Sequence, residues 1–261
     1  MPGIQLVTAL GSSFAAGPGI EPIADPVAMR SEKNYAHLLA ERLGARLVDL
    51  TVSGATTANI IDAPQQMGEG VEYPAQLDGV PADSDVVTIT AGGNDLLFAP
   101  ALLYVAWSHT EPDSPIVPLL ESMVPDGIPH PTDSTVEEAT EGLVRVVRGA
   151  RAKAGSARIV LVDYLTVLDA DSAGATPFSE EEVGQFLVIQ RAIGQIFRDA
   201  ATQSEAELIP ASSLSAGHAL GSSVPWVQPF HPNLMETGGS FHPNEAGMTA
   251  IAVELERVLG S

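Results

Sequence analysis

The sequence predicts an α/β fold with a central, mostly parallel five-stranded sheet that helices cover on both faces. Short β-branched runs alternate along the chain with longer segments whose apolar residues have helical spacing. Such alternation favours parallel strands, because each strand is followed by a helix that returns the chain to the same edge. The chain has 261 residues, 45% of them hydrophobic, which is enough for one large core. We therefore expect a single domain over residues 1–261.

Five short runs of β-branched and aliphatic residues are the predicted strands, at residues 4–9, 46–50, 86–90, 158–162 and 206–209. Sets of apolar residues three or four positions apart predict helices that begin near Tyr35, Val136, Val183 and Met248. In open parallel sheets, ligands bind at the carboxyl ends of the strands. The residues that follow each strand are therefore the first candidates for a functional site.

Two proline-rich segments do not fit this alternation, at about 98–135 and 211–239. We interpret them as loop inserts, and long loops inside a compact domain usually have a function. Because they follow strands, we expect them to form walls or a lid of a substrate pocket. Trp107, Trp226 and Phe230 are candidate lining residues, and ordinary loop packing is the alternative for them.

The charge of the chain excludes partners with a strongly anionic surface. Lys and Arg number 12 against 33 Asp and Glu, which gives a formal net charge of -21. Nucleic acids and anionic membranes would be repelled by such a surface. No apolar run approaches the ~20 residues that a membrane span needs, so we expect no stable insertion into a membrane.

The absence of cysteine excludes disulfides, thiol catalysis and thiolate metal sites. No His-x-x-x-His or carboxylate–histidine spacing indicates a metal site, and no complete dinucleotide or Walker-type loop indicates a nucleotide. We therefore expect no metal and no cofactor. The N-terminus lacks the basic and apolar regions of a signal peptide, which predicts a cytoplasmic protein; a secreted protein whose leader has been removed is the alternative.

Residues suited to acyl transfer follow the predicted strands. Ser13 follows the first strand, the segment Thr-Val-Ser-Gly-Ala-Thr-Thr at 51–57 follows the second, and Ala-Gly-Gly-Asn-Asp at 91–95 follows the third. His242 stands just before the last helix. Because a parallel sheet gathers its strand ends at one edge, these segments offer a hydroxyl, backbone N–H groups, an amide and an imidazole in one place. Acyl transfer needs these groups as nucleophile, oxyanion-hole donors and base.

In these blocks the sequence resembles the SGNH (GDSL-type) serine hydrolases, a family named for a Ser, a Gly, an Asn and a His in four separated blocks. The blocks read Gly-Ser-Ser-Phe at 11–14, Gly54, Gly-Gly-Asn-Asp at 92–95 and His-Pro at 242–243. The resemblance covers about residues 4–258 and is closest to lipases and esterases of the actinobacterial type. It implies a three-layer, flavodoxin-like α/β/α sandwich that cleaves carboxylic esters of small-molecule or lipid-like substrates through an acyl-enzyme.

The resemblance also implies a role for each matched residue. Ser13 is the nucleophile, and His242 is the base that takes its proton and later gives it to the leaving alcohol. The backbone N–H groups of Ser13 and Gly54 and the side-chain amide of Asn94 form the oxyanion hole.

The chain departs from the family pattern at two positions. Ser12 replaces the usual Asp before the nucleophile, and Gly239 stands three residues before His242, where the family's acid normally lies. Because glycine has no side chain to hold the imidazole, we expect the main-chain carbonyl of Gly239 to orient His242. Glu236 is the competing candidate, since it is the nearest carboxylate that precedes His242 in the sequence.

Other polar residues are alternative or structural candidates. His231, also followed by proline, is a rival base, and Asp95 is expected to bond within its own loop. The remaining histidines are expected to be solvated, loop or structural residues: His37, His109, His130 and His218.

Other functions are compatible with the same residues. A carbohydrate deacetylase or an acyltransferase would use the same serine and histidine, and a non-catalytic binding module could keep the fold without the reaction. An α/β-hydrolase fold expects Gly-x-Ser-x-Gly, whereas residues 11–15 read Gly-Ser-Ser-Phe-Ala. The sequence predicts neither the acyl-chain length nor the oligomeric state.

Overall fold

The structure is a computed structural model that describes residues 3–260, without the side chain of Glu69. Its strands are β1 (Leu6–Gly11), β2 (Ile23–Asp25), β3 (Arg30–Ser31), β4 (Arg46–Asp49), β5 (Gln65–Gln66), β6 (Glu72–Tyr73), β7 (Val86–Thr90), β8 (Arg158–Val162) and β9 (Glu207–Ile209). Five of them form the central sheet in the order β4-β1-β7-β8-β9, and each pair in it is parallel. The pairs β2–β3 and β5–β6 are antiparallel and separate from this sheet.

The strands of the central sheet are the five that the sequence predicts. β7 and β8 have the predicted bounds, whereas β1 extends to Gly11 instead of ending at residue 9. If only the five strands of this sheet are numbered from one to five along the chain, their order in the sheet is 2-1-3-4-5, which is the flavodoxin-like arrangement. It places β1 beside β7, so the residues that follow these two strands are neighbours at the carboxyl edge.

The helices are α1 (Ser13–Ala16), α2 (Tyr35–Leu43), α3 (Thr57–Ile61), α4 (Phe98–Thr110), α5 (Val117–Met123), α6 (Asp133–Lys153), α7 (Glu180–Ser204), α8 (Ala211–Leu214) and α9 (Glu245–Leu259). Polar caps define where the long ones begin: Ser179 and Glu182 form a reciprocal capping box at α7, and Asn244 accepts from the N–H of Gly247 at α9. Within residues 3–260, no helix is both long and apolar enough to cross a bilayer.

Helices cover both faces of the sheet and form the expected three layers. Side chains alternate along a strand, so Val7 and Ala9 of β1 join the apolar core built with α2 and α9, whereas Leu10 joins the opposite core. That opposite core is built with α3, α4, α6 and α7. Because both faces are buried, a site for ligands has to lie at an edge of the sheet.

The first insert, 98–135, is not the loop that the sequence predicts, because it folds into α4 and α5. Two of its prolines lie in the first turn of a helix: Pro100 is the third residue of α4, and Pro118 is the second of α5. A residue there has no helical partner for its N–H, so proline does not weaken the helix. The second insert, 211–239, holds only the short α8 and a 3-10 turn at Thr237–Gly239.

Asn34 joins three elements at the start of α2. Its Oδ1 accepts hydrogen bonds from the N–H groups of Ala36 and His37, at 3.1 and 3.0 Å, and caps the helix. Its Nδ2 donates to the carbonyl of Ala16 at 3.3 Å and to Asp49 Oδ2 at 2.8 Å. The Asn34 side chain is fully buried, so water cannot take the place of these partners.

Asn34→Ala should lower the free energy of unfolding by about 2–3 kcal/mol, because it removes a helix cap and leaves buried partners unpaired. The control is Thr132→Ala, which removes the exposed cap of α6 and should cost about 1 kcal/mol or less, since water can replace the hydroxyl. Urea denaturation followed by circular dichroism measures both variants. Equal losses would contradict the importance of burial at Asn34.

Candidate active site

The carboxyl edge of the central sheet brings together the four residues of the predicted site: Ser13, Gly54, Asn94 and His242. All four line one cavity of ≈ 240 Å³. Ser13 begins α1 directly after β1, Gly54 and Asn94 lie in the segments that follow β4 and β7, and His242 lies three residues before the start of α9. The residues that the topology predicts to converge therefore do so.

Ser13 and His242 form a hydrogen-bonded pair. Ser13 Oγ lies 2.7 Å from His242 Nε2, and both side chains are buried. The other ring nitrogen, Nδ1, lies 2.8 Å from the main-chain carbonyl of Ser240. A carbonyl only accepts hydrogen bonds, so Nδ1 carries the proton and Nε2 presents a lone pair to the serine hydroxyl. The imidazole is thus held in the tautomer that can take a proton from Ser13.

The carbonyl at Nδ1 belongs to Ser240, and the prediction of the Gly239 carbonyl was wrong by one residue. The carbonyl of Gly239 accepts instead the backbone N–H of His242, at 3.1 Å. Glu236, the competing candidate, is exposed and is the partner of neither ring nitrogen.

Position 239 has no room for the carboxylate that the family pattern places there. A Cβ on Gly239 would lie 2.6 Å from Oε1 of Gln228 and 3.2 Å from Cα of Gly19. Gln228 is itself held, because its Nε2 donates to the carbonyl of Pro18 at 2.9 Å. A side chain at 239 would have to displace this amide and approach the backbone of Gly19, so local packing favours the glycine.

A left-handed turn at Phe241 lies between Ser240 and the histidine. Phe241 has a φ of 64°, a conformation that costs a non-glycine residue about 1–3 kcal/mol. Its ring is buried and packs against Phe230 and Phe178, with centroids 5.8 and 5.3 Å away. This packing offsets the strain and keeps the turn in which the Ser240 carbonyl faces the imidazole two residues later.

Burial keeps the imidazole of His242 neutral. Removal from water lowers the pKa of His242 to about 4, and the hydrogen bond to the Ser240 carbonyl acts in the opposite direction. His242 does not itself begin the last helix, since α9 starts at Glu245 with Asn244 as its cap. Burial is therefore the main cause of the low pKa of His242.

The predicted oxyanion-hole residues supply N–H groups at the cavity. Among the described residues, the backbone N–H groups of Ser13 and Gly54 have no acceptor. Asn94 Nδ2 donates to the carbonyl of Ala55 at 2.9 Å, which leaves its second N–H for another acceptor. Gly54 has a φ of 84°, which glycine adopts without strain. These N–H groups can stabilise an oxygen that becomes negative beside Ser13.

Apolar side chains form most of the cavity wall: Met29, Ala99, Pro100, Leu103, Leu120 and Met123. Most of them lie on α4 and α5, and Gly238 adds a part of the second insert to the wall. Both inserts thus border the cavity, as the sequence predicts.

The three aromatic residues that were candidates for the cavity wall do not line it, and the alternative of ordinary loop packing holds for them. Trp107 is buried, and its Nε1 donates to Thr237 Oγ1 at 2.9 Å. Phe230 meets Trp107 edge-on, with ring centroids 5.6 Å apart, and Trp226 stacks on His218 at 3.9 Å. Trp107, Phe230 and Thr237 therefore attach the second insert to α4 instead of forming the wall.

Tyr164, which the sequence did not single out, contacts three parts of the site. Its hydroxyl lies 3.0 Å from Ser12 Oγ and accepts a hydrogen bond from the N–H of Gly93 at 3.2 Å. Its ring stacks on Phe14 at 4.1 Å, and the Phe14 ring lies 5.1 Å from that of His242. Tyr164 follows β8 by two residues, so the rule applied to the other strand ends would also have pointed to it.

The residues around Tyr164 are adapted to it. Burial raises the pKa of Tyr164 to about 12, so the hydroxyl stays protonated. A Cβ on Gly93 would lie 2.5 Å from the tyrosine ring, which explains a glycine there. Ser12, in the position of the family's Asp, is fully buried and offers a neutral partner for this hydroxyl.

The other polar candidates lie outside the Ser13–His242 pair. His231 donates its backbone N–H to Ser240 Oγ at 2.9 Å, and its ring is not the partner of Ser13. Asp95 accepts from the hydroxyl of Thr57 at 2.6 Å, which links its loop to α3, and burial raises its pKa. In residues 3–260, no group of three His, Asp or Glu side chains is placed to hold a metal ion.

The remaining histidines have local partners or lie at the surface. The Nδ1 atoms of His109 and His218 bond to backbone carbonyls at 2.8 and 2.7 Å, as expected of structural residues. His130 is exposed. His37 is half-buried and lies 3.5 Å from Asp49, so it is less solvated than the sequence predicts.

Comparisons with known proteins cover nearly the whole chain. Residues 9–250 match the model of the GDSL-like Lipase/Acylhydrolase family. The chain is 30% identical over 269 residues to Lipase 2 of Streptomyces coelicolor, with 97% of this chain and 85% of the relative covered. Its fold is similar to the extracellular lipase of Streptomyces rimosus (TM-score 0.74, 21% identity) and to phospholipase A1 of Streptomyces albidoflavus NA297 (TM-score 0.76, 20% identity), each over 98% of this chain and 99% of the other. The chain therefore belongs to the GDSL-like lipase/acylhydrolase family and is a carboxylic ester hydrolase.

Proposed function

We propose that this ester hydrolase works through an acyl-enzyme formed on Ser13, with His242 as the base. The observation that carries the proposal is the 2.7 Å hydrogen bond between Ser13 Oγ and His242 Nε2, with Nδ1 bonded to a carbonyl at 2.8 Å. Nucleophile, base and orienting group have this relation in serine hydrolases. Here a carbonyl takes the place of the usual carboxylate.

In acylation, Ser13 Oγ attacks the ester carbonyl while Nε2 of His242 takes the serine proton. The carbonyl oxygen becomes an oxyanion, and the N–H groups of Ser13, Gly54 and Asn94 are the donors proposed to stabilise it. The C–O bond to the alcohol then breaks, and the imidazolium gives its proton to the leaving oxygen.

Deacylation repeats these steps with water as the nucleophile. Nε2 takes a proton from water as the water oxygen attacks the acyl carbonyl, and the same donors hold the second oxyanion. The bond to Ser13 Oγ breaks, the proton returns to that oxygen, and the carboxylic acid is released.

The cavity wall supports a lipid-like ester as the substrate. Leu103, Leu120 and Met123 form an aliphatic wall beside Ser13, and each methylene of an acyl chain that is buried there contributes about 0.8 kcal/mol. A sugar acetate has hydroxyl groups that need polar partners, which aliphatic side chains do not supply. The name of the Streptomyces coelicolor relative, Lipase 2, points to the same substrate class.

Ser13→Ala should leave a folded protein that hydrolyses p-nitrophenyl butyrate at least about a thousandfold more slowly, because the attacking oxygen is gone. Ser108→Ala, which removes a hydroxyl without a partner on α4, should retain full activity. Labelling by a fluorophosphonate probe gives a second measurement, expected in the wild type and absent in Ser13→Ala. Undiminished hydrolysis by Ser13→Ala would overturn the proposal.

The decline of kcat/KM at acid pH, which reports protonation of the catalytic histidine, should be shifted below its usual position near pH 6.5. The base must be unprotonated in the free enzyme, and burial lowers the pKa of His242 to about 4, below the ordinary 6.5. As the pH falls, activity should therefore persist through 6.5 and decline only near 4. Stopped assays across this range, with circular dichroism to verify folding at each pH, measure the midpoint. A midpoint at or above 6.5 would show that the imidazole is not shielded as described.

Tyr164→Phe should lower kcat by about tenfold or more with a smaller change in KM. The reason is that Ser12 and Gly93, which directly precede Ser13 and Asn94, lose the hydroxyl that holds them. Tyr35→Phe is the matched control: Tyr35 is also fully buried, and its hydroxyl lies 2.9 Å from Thr90 Oγ1 in the opposite core. Steady-state kinetics and urea denaturation of both variants separate positioning from stability. An equal loss of kcat in the two variants would contradict a positioning role for Tyr164.

A further inference from the structure

Gly54, one of the proposed oxyanion donors, lies at the third position of a β-turn. The N–H of Ala55 donates to the carbonyl of Val52 at 3.1 Å, which closes the turn. Gly54 has a φ of 84°, whereas Ser53 does not have a positive φ. This combination is that of a type II turn. The central peptide of the turn joins Ser53 to Gly54, so it carries the N–H that is proposed to stabilise the oxyanion.

A type II turn can change into a type I turn by rotation of this central peptide. The rotation reverses the directions of the Ser53 carbonyl and of the Gly54 N–H, and it leaves Gly54 with a φ of about −90°. Glycine adopts positive and negative φ about equally well, so Gly54 does not itself fix the direction of its N–H. Another group has to hold the central peptide in the orientation that the structure shows.

The side chain of Gln65 holds this peptide. Gln65 is buried, and its Nε2 donates to the carbonyl of Ser53 at 2.8 Å. A carbonyl oxygen only accepts hydrogen bonds, so the nitrogen of the amide must face it. Because the C=O and N–H of a trans peptide point in opposite directions, the Gly54 N–H points away from Gln65. The hydrogen bond also polarises the peptide, which strengthens its N–H as a donor.

The hairpins β5–β6 and β2–β3 fix the position of Gln65 relative to the turn. Gln65 of β5 pairs with Tyr73 of β6. The hydroxyl of Tyr73 donates to Asp25 at 2.9 Å, and Asp25 accepts the N–H of Ala28 at 3.0 Å. The carbonyl of Ala28 in turn accepts the N–H of Ser53 at 3.0 Å. These contacts form a closed circuit that begins and ends at Ser53.

Gln65 lies behind the cavity wall. Ser53 and Gly54 line the cavity, whereas Gln65 does not. The next residue of β5, Gln66, is exposed, and its amide bonds to Glu72. Side chains alternate along a strand, so Gln65 faces the turn while Gln66 faces solvent. Gln65 can therefore act on the reaction only through the peptide that it holds.

We propose that Gln65 is a positioning residue for the oxyanion hole: it holds the Ser53–Gly54 peptide so that the Gly54 N–H faces the reacting ester carbonyl. The proposal rests on the proposed function, since it requires attack by Ser13 and an oxyanion beside Gly54. An N–H that is fixed before the reaction stabilises the transition state more than one that has to rotate into place. The ester in its ground state carries no full charge on its carbonyl oxygen and gains less from this N–H.

Gln65→Met tests the proposal in the full-length chain, because methionine has a similar length and no N–H to donate. Its kcat for p-nitrophenyl butyrate should fall at least about tenfold with a smaller change in KM, since a whole oxyanion donor contributes a factor of about 10²–10³. Gln65→Asn, whose shorter side chain withdraws the amide from Ser53, should show the same loss. Gln66→Met is the matched control and should keep the wild-type kcat and KM. Circular dichroism and urea denaturation verify the folding of each variant.

Inhibition by n-butylboronic acid gives a readout that a loss of stability alone would not change. The boronic acid adds to Ser13 Oγ as a tetrahedral anion and so resembles the transition state. Its inhibition constant should rise in Gln65→Met by about the factor by which kcat falls, and it should stay unchanged in Gln66→Met.

Four results would overturn the positioning role: a folded Gln65 variant with wild-type kcat, an equal loss in Gln66→Met, a loss carried entirely by KM, or unfolding of both Gln65 variants, which would make the hydrogen bond structural. Failure of the proposed function is distinguishable from these results. In that case the wild type itself would not be inhibited by the boronic acid, and Ser13→Ala would keep its activity.

Discussion

The hydrogen bond between Ser13 and His242 joins residues that are 229 positions apart in the chain, and the site depends on it. It requires that β1 lie between β4 and β7 in the sheet, so that Ser13 emerges at the carboxyl edge. It also requires that α9 pack beside α2, which brings the segment before α9 to the same edge. Neither residue could be positioned by its own segment, so the chemistry is a property of the complete parallel sheet.

The dipole of the Ser240 carbonyl orients the imidazole of His242. In the family pattern, a carboxylate with a full negative charge takes this role. The Ser240 carbonyl fixes the tautomer, but it stabilises an imidazolium less than an anion would. Burial then favours the neutral ring, which is the cause of its low pKa. In the proposed mechanism, the charge that balances the imidazolium is the oxyanion, which forms in the same step beside the buried ring. A buried base without a carboxylate suits that mechanism, because both charges appear and disappear together in it.

Local sequence patterns and one topological rule were enough to predict the central sheet and the segments that converge at its carboxyl edge. The family resemblance then identified Ser13, Gly54, Asn94 and His242 within these segments, and all four line the cavity. The orienting carbonyl could not be predicted, because it depends on the left-handed φ of Phe241, and that turn is held by Phe178 and Phe230. Proline content predicted a loop at 98–135 because composition does not distinguish a proline in the first turn of a helix from one in a loop. The sequence also left open whether the aromatic residues of the inserts line the wall. Their size indicates burial, but whether Trp107 faces the cavity or the second insert depends on its partner Thr237.

The charge of the protein acts differently on the substrate and on the product of ester hydrolysis. A neutral ester meets aliphatic walls at the cavity, and the nearby carboxylates neither attract nor repel it. Hydrolysis converts its acyl part into a carboxylate, which then lies in a cavity bordered by two inserts that contain acidic residues and no Lys or Arg. The apolar contacts of the acyl chain are the same before and after the reaction, whereas the repulsion exists only afterwards. For the same electrostatic reason that the net charge of -21 disfavours anionic partners, we expect it to weaken the binding of the carboxylate product relative to the neutral ester.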